Sequence, residues 1–218
     1  MPSIVRAVLL DFGGVLGLPQ DPVRAASMAR LCRLPPDRFL AAYQRDRLEL
    51  DRGSLENAEY WRRILEAGGV EPGLDLVERL VEEDTRGWTR VNRRVVDWSY
   101  ELREAGYLTA ILSNMPQDKL DFMRGNDEFS WISDFEAAVF SCDLGIVKPE
   151  PGIYRACLGK LGAAPGECVF LDDAAVNVEA AHSLGIQGIL FRSAAEAAPE
   201  LQQLWGLPVA RLKEGGDA

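Results

Sequence analysis

Hydrophobic positions follow two different rhythms along this chain. In the second half, short apolar runs bounded by turn residues recur at Leu108 to Leu112, Ala137 to Phe140, Val169 to Leu171 and Gly188 to Phe191. Between them lie stretches with helical spacing: Val95 to Glu104, Ile153 to Leu161 and Val176 to Leu184. Runs this short and this uniformly apolar predict buried strands, and their alternation with helices predicts a doubly wound parallel sheet covered on both faces. Right-handed crossovers then bring the strand ends to one edge. Near the start, Val8-Leu9-Leu10 reads as one more buried strand. It ends in a single carboxylate, Asp11, followed within three residues by Gly13 and Gly14.

From Gly17 to Thr89 the rhythm is purely helical. Amphipathic stretches run from Val23 to Cys32, Asp37 to Arg47, Leu55 to Glu66 and Leu74 to Asp84, with breaks at Pro35-Pro36, Gly53-Ser54 and Gly68-Gly69. Pro36 and Ser54 sit where helices start, Ser54 as an N-cap. The predicted organisation is α/β, with a Rossmann-like core formed by residues 1–16 and 90–218 and an α-helical cap inserted at 17–89. The tail from Lys213 to Ala218 reads as disordered.

Composition narrows the partners. A net charge of −10 over 218 residues argues against nucleic acid and anionic membranes. No apolar stretch approaches the roughly 20 residues that span a bilayer. The segment Met1 to Arg6 shows none of the regions of a signal peptide, so a cytoplasmic location is expected. Cys32, Cys142, Cys157 and Cys168 have no metal-binding spacing and read as buried thiols. A phosphate-bearing substrate meets long-range repulsion here, so its attraction must come from a local metal, lysine or backbone amides.

Such groups follow the apolar runs. Ser113-Asn114, Lys148-Pro149 and Asp172-Asp173 each stand just beyond one, and a parallel sheet brings them to the edge that carries Asp11. Asp11 and Asp173 suit a hard divalent cation, Lys148 a phosphate, and Ser113 a hydrogen bond to it. At its unperturbed pKa near 3.9, Asp11 is an ionised nucleophile at neutral pH.

Four motifs stand in order: Leu10-Asp11-Phe12-Gly13-Gly14-Val15, Leu112-Ser113-Asn114, Lys148-Pro149-Glu150 and Phe170-Leu171-Asp172-Asp173. With the stretches Ser141 to Tyr154 and Ala174 to Ile186, they make the chain resemble the haloacid dehalogenase-like (HAD) superfamily, in its phosphatase branch with a helical cap. Across nearly the whole chain, the resemblance implies Mg²⁺-dependent hydrolysis of a small phosphorylated metabolite through an aspartyl-phosphate on Asp11. It implies that Ser113 and Lys148 hold the phosphoryl oxygens, with Asn114 lining the site. Mg²⁺ would be bound by Asp11, Asp173 and the Gly13 carbonyl, with Asp172 in support.

Gly13 departs from the pattern. Most family phosphatases carry an aspartate there that protonates the leaving oxygen and later activates water. Glycine keeps the carbonyl and loses the proton carrier, whose work is typically worth about 10²–10⁴-fold. The chain thus resembles a subgroup reading D-x-G-x-V, some members of which act on sugar phosphates. Good leaving groups are then favoured unless a cap residue such as Asp21, Asp46 or Glu49 supplies the proton. The alternative is a catalytically impaired protein that binds a phosphometabolite. Arg45, Arg47, Arg52, Arg62 and Arg63, interleaved with Glu49, Asp51 and Glu59, read as a solvated face or as groups reaching the leaving group. His182 and the scattered tryptophans read as structural.

Overall fold

A computed structural model describes residues 5–213. Five parallel strands, β1 (Ala7–Leu10), β2 (Leu108–Ser113), β3 (Ala137–Phe140), β4 (Cys168–Asp172) and β5 (Gln187–Leu190), form one sheet in the order β3-β2-β1-β4-β5. All four residues of β1 are fully buried, as expected for a strand covered on both faces. Its register aligns Leu10 with Ile111 of β2 and Leu171 of β4. The chain builds outward from β1 through β2 and β3, then returns to the other side of β1 for β4 and β5. Asp11 therefore emerges at the point where strand order reverses, the place where open α/β sheets form a crevice.

Between β1 and β2 lie α1 (Pro22–Leu31), α2 (Pro36–Arg45), α3 (Arg47–Arg52), α4 (Asn57–Ala67), α5 (Leu74–Trp88) and α6 (Arg93–Glu104). The first five enclose their own apolar cluster, including Met28, Phe39, Trp61, Ile64 and Leu80. Pro36 opens α2 at its first position, where the missing N–H costs nothing. Ser54 is not an N-cap. Helix α4 starts three residues later without a side-chain cap, and the Ser54 hydroxyl instead donates to the Glu49 carbonyl at the end of α3.

The helices of the sheet are α6, α7 (Gln117–Arg124), α8 (Ser141–Leu144), α9 (Pro151–Leu161), α10 (Ala175–Ser183), α11 (Ala194–Trp205) and α12 (Ala210–Lys213). One face of the sheet packs Val8, Leu10, Ile111 and Leu171 against Val95, Trp98 and Leu201. The other packs Leu9, Leu112 and Phe170 against Ile153, Tyr154 and Ala181. Residue Lys213 closes α12, while residues 214–218 of the tail expected to be disordered lie outside the described residues. Cys32, Cys157 and Cys168 are buried free thiols and Cys142 is partly buried. Among the described residues no helix is long and apolar enough to cross a membrane.

Candidate active site

Asp11 leaves β1 with its amide still bonded to the Leu171 carbonyl, so sheet hydrogen bonding holds the base of its side chain. The turn that follows is shaped by Gly14, at φ 72°, where any Cβ would run into the Asp173 carboxylate. That left-handed conformation disfavours other residues, and the space a side chain would need belongs to Asp173.

Lys148 lies at the centre. Its ammonium is 2.8 Å from Asp11 Oδ1 and 2.6 Å from Asp172 Oδ2, and the lysine is 1% exposed. Asn114 fixes the lysine backbone from both sides: its Nδ2 donates to the Lys148 carbonyl at 3.0 Å, and its Oδ1 accepts from the Lys148 amide at 2.7 Å. Asn114 also lines the pocket, so it serves first as a clamp on Lys148. Ser113 ends β2 with its side chain buried and a long 3.4 Å bond to the Asn114 carbonyl. Its neighbours Asn114 and Met115 form the pocket wall.

The two adjacent acids differ. Asp172, fully buried, accepts from Lys148, from the Ala174 amide at 2.8 Å and from Asn177 Nδ2 at 3.0 and 3.1 Å. Asp173 is exposed and lines the pocket. Asp11, Asp172 and Asp173 each place a carboxylate oxygen within 4.8 Å of the others. Counted as charges, the cluster has three carboxylates against one ammonium. A hard divalent cation fits this all-oxygen donor set and corrects its imbalance.

Burial pushes the Asp11 carboxyl up to about 7, opposed by Lys148 and reinforced by Asp172 and Asp173. This corrects the expectation of an unperturbed carboxylate: without a cation, Asp11 holds its proton to near neutrality. Its two hydrogen bonds among the described residues, from the Phe12 amide at 2.7 Å and from Lys148, both go to Oδ1. Oδ2 is the oxygen left to attack.

The opposite wall comes from the helical insert. A cavity of about 240 Å³ is lined by Asp11, Gly13 and Asp173 below and by Tyr43, Arg47, Asp51 and Trp88 from the insert. Trp88, the last residue of α5, lies over Gly13 and donates its indole N–H to the Tyr43 hydroxyl at 2.9 Å. That hydroxyl donates to Asp84 at 2.5 Å, and Asp84 also accepts from Lys119 of α7 at 2.6 Å. Arg47 donates to Asp51 at 2.9 Å and to the Tyr43 hydroxyl at 2.5 Å.

Arg47 and Asp51 are thus the members of the charged run that reach inward, while Arg62 and Arg63 pair with Glu59 outside. The acids suggested as proton donors do not reach the pocket. Asp21 caps α1 through the Val23 amide, Asp46 pairs with Arg45 and Arg63, and Glu49 is exposed. Trp88, Tyr43, Asp84 and Lys119 carried no sequence signal of a site, because nothing local distinguishes them from core or surface residues. His182 contacts the Gly188 carbonyl, away from this pocket.

Fold and site together define an α/β protein with a lysine-centred carboxylate cluster at its switch point, facing a pocket closed by a helical insert. The chain belongs to the haloacid dehalogenase-like hydrolases, whose family model matches residues 5–185. Bifunctional epoxide hydrolase 2 of Mus musculus is 27% identical over 93% of this chain, which spans only 39% of that protein's length. Sesquiterpene phosphatase astK of Aspergillus oryzae is 26% identical over 72% of this chain and 84% of its own. A HAD family enzyme of Bacteroides thetaiotaomicron, solved with magnesium and inorganic phosphate, superposes with a TM-score of 0.70 at 24% identity. That match covers 86% of this chain and 94% of the other.

Proposed function

We propose that this hydrolase is a Mg²⁺-dependent phosphatase that removes phosphate from a small phosphorylated metabolite through an aspartyl-phosphate on Asp11. The observation that carries the reading is the convergence of Asp11, Lys148, Asp172 and Asp173 at one strand edge, with a charge balance that calls for a cation. Phosphatases among the relatives and a magnesium–phosphate complex among the structural neighbours support it.

Asp11, the Gly13 carbonyl and Asp173 would hold Mg²⁺, with Asp172 in support, and the ion would supply positive charge beside the phosphoryl oxygens. Asp11 Oδ2 attacks phosphorus in line with the ester oxygen. Lys148 keeps Oδ1 turned away and screens the nucleophile from the incoming dianion, Ser113 adds an oxyanion contact, and Asn114 lines the substrate pocket while holding Lys148 in place. The insert acts as a cap: it excludes bulk water and contacts the leaving group. A cavity of about 240 Å³ suits a phosphate with a compact, sugar-sized group.

Phosphate release from a panel of phosphate esters, with Mg²⁺ and with EDTA, tests the proposal. Release that needs Mg²⁺ and disappears in Asp11→Asn is expected. No release from any ester would favour the second reading, prompted by Gly13, of a protein that binds a phosphometabolite without turnover.

A further inference from the structure

Expelling an alkoxide from phosphorus requires a proton at the leaving oxygen, and Gly13 has no side chain to carry one. Trp88 borders the place such a side chain would start from, since a Cβ at Gly13 would stand in contact with it, 3.4 Å from Trp88 Cζ3. The donor therefore belongs to another part of the pocket wall. Six titratable side chains line that wall: Asp11, Tyr43, Arg47, Asp51, Lys119 and Asp173. Asp11 is the nucleophile and Asp173 a metal ligand. Arg47 does not release a proton in the working range. The Tyr43 hydroxyl is committed to Asp84, and burial holds it well above the usual phenol range. Lys119 is locked to Asp84 at 2.6 Å, with both side chains 1% exposed. Asp51 remains.

We propose that Asp51, carried into the pocket by α3, is the catalytic acid and base of this site, replacing the side chain absent at position 13. The assignment rests on the phosphatase reading. Asp51 is 6% exposed and borders the cavity that also contains Asp11 and Gly13. Its backbone is pinned to the core, because the Ser141 hydroxyl of α8 donates to the Asp51 carbonyl at 2.5 Å. Its Oδ1 takes the Arg47 Nε bond, so Oδ2 is free of that contact.

In the first step the Asp11–phosphorus bond forms and the ester P–O bond breaks. The electron pair leaves on the ester oxygen, which takes the Asp51 proton. In the second, a water oxygen bonds phosphorus, the pair returns to Asp11, and the water proton goes to Asp51.

The titratable groups that interact with Asp51 are Arg47 on its own helix, Tyr60 of α4, Asp84 of α5 and Lys119 of α7, and its neighbour Arg52 pairs with Glu150. Burial raises its carboxyl from the ordinary carboxylate value, against Arg47 and Lys119, which is the direction that favours a proton donor.

The test compares Asp51→Asn with wild type on p-nitrophenyl, phenyl and alkyl phosphates across pH, with Mg²⁺ present. On alkyl esters kcat/KM falls by about 10²–10⁴-fold, while p-nitrophenyl phosphate, whose leaving group needs no proton, loses less than about 10-fold. The decline of wild-type kcat/KM at high pH, where Asp51 loses its proton, disappears in the variant. Equal loss on every ester with the pH profile retained would overturn the assignment, as would full activity on alkyl esters.

Should Asp51→Asn not fold, wild type alone decides. Its rates should depend little on leaving-group pKa at low pH and steeply at high pH, and one slope throughout would overturn the proposal. Turnover abolished by Asp11→Asn but uniform across Asp51→Asn sinks only this assignment. No release by wild type sinks it together with the phosphatase reading.

Discussion

Two charge clusters face each other across the pocket, and they are built on opposite principles. In the sheet, Asp11, Asp172 and Asp173 surround one cation, Lys148. In the insert and its contact with α7, Asp51 and Asp84 meet Arg47 and Lys119, so each acid has a cation beside it whether or not Asp51 carries its proton. Desolvated charge is tolerated where it is paired. The balanced cluster is complete within the chain and holds the insert to the core. The unbalanced one has more carboxylates than cations, and that deficit is the feature behind the proposed Mg²⁺ site.

The comparison is tested hardest by removing one lysine from each. Lys148→Met leaves Asp172 buried without its ammonium and should cost about 3–5 kcal/mol, the range for breaking a buried pair. Lys119→Met leaves Asp84 its contacts with Tyr43 and Arg47, so its loss should fall near or below the bottom of that range. In urea melts, saturating Mg²⁺ should recover part of the first loss and none of the second. Equal responses to Mg²⁺ would erase the distinction.

The clusters should also respond oppositely to pH. Asp11 keeps a proton up to about 7 in the folded, cation-free protein, whereas the unfolded chain loses it near 4. The folded state then binds more protons through that window, so this contribution is full below it and is lost as pH rises through about 7. Asp84 has the reverse sign. Burial pushes its carboxyl up, but Lys119 and Arg47 together hold it below the usual range, so its contribution is present above that range and lost in acid. Thermal melts with EDTA should show both slopes, with Asp11→Asn removing the first and Asp84→Asn the second. Excess Mg²⁺ should flatten only the first.

The smallest effect is expected at the boundary. Gly13 has an ordinary φ of −62°, and a methyl there meets only the edge of Trp88, so Gly13→Ala should change stability by no more than about 1 kcal/mol. A Tm drop far beyond that would mean the turn and the insert are coupled more tightly than their contact suggests.

The two regions were also unequally legible in the sequence. Asp11 follows strand β1, and Ser113 and Asp172 end β2 and β4, each an abrupt polar residue after an apolar run. A parallel sheet leaves little freedom about where such residues go. The insert offered no such rule. Helix α3 is six residues long and four of its side chains are charged, a pattern that ordinarily means solvent. Asp51 is buried and Arg47 half-buried only because Tyr43, Asp84 and Lys119 arrive from three other helices. Ser54 misled for the opposite reason: its residue type suits an N-cap, but the Glu49 carbonyl was the nearer partner. The raised Asp11 carboxyl likewise depends on neighbours more than 130 residues away in the chain.

Gly14 and the paired acids bear on how a cation would be gripped. The lone pairs of Asp172 are spent on Lys148, Ala174 and Asn177. Asp173 occupies the space that a Cβ at Gly14 would need, and the hydrogen bond it accepts comes from its own backbone amide and not from a cation or a side-chain donor. Adjacent, chemically identical residues thus differ in commitment: one is tied to the fold on both oxygens, while the other faces the pocket.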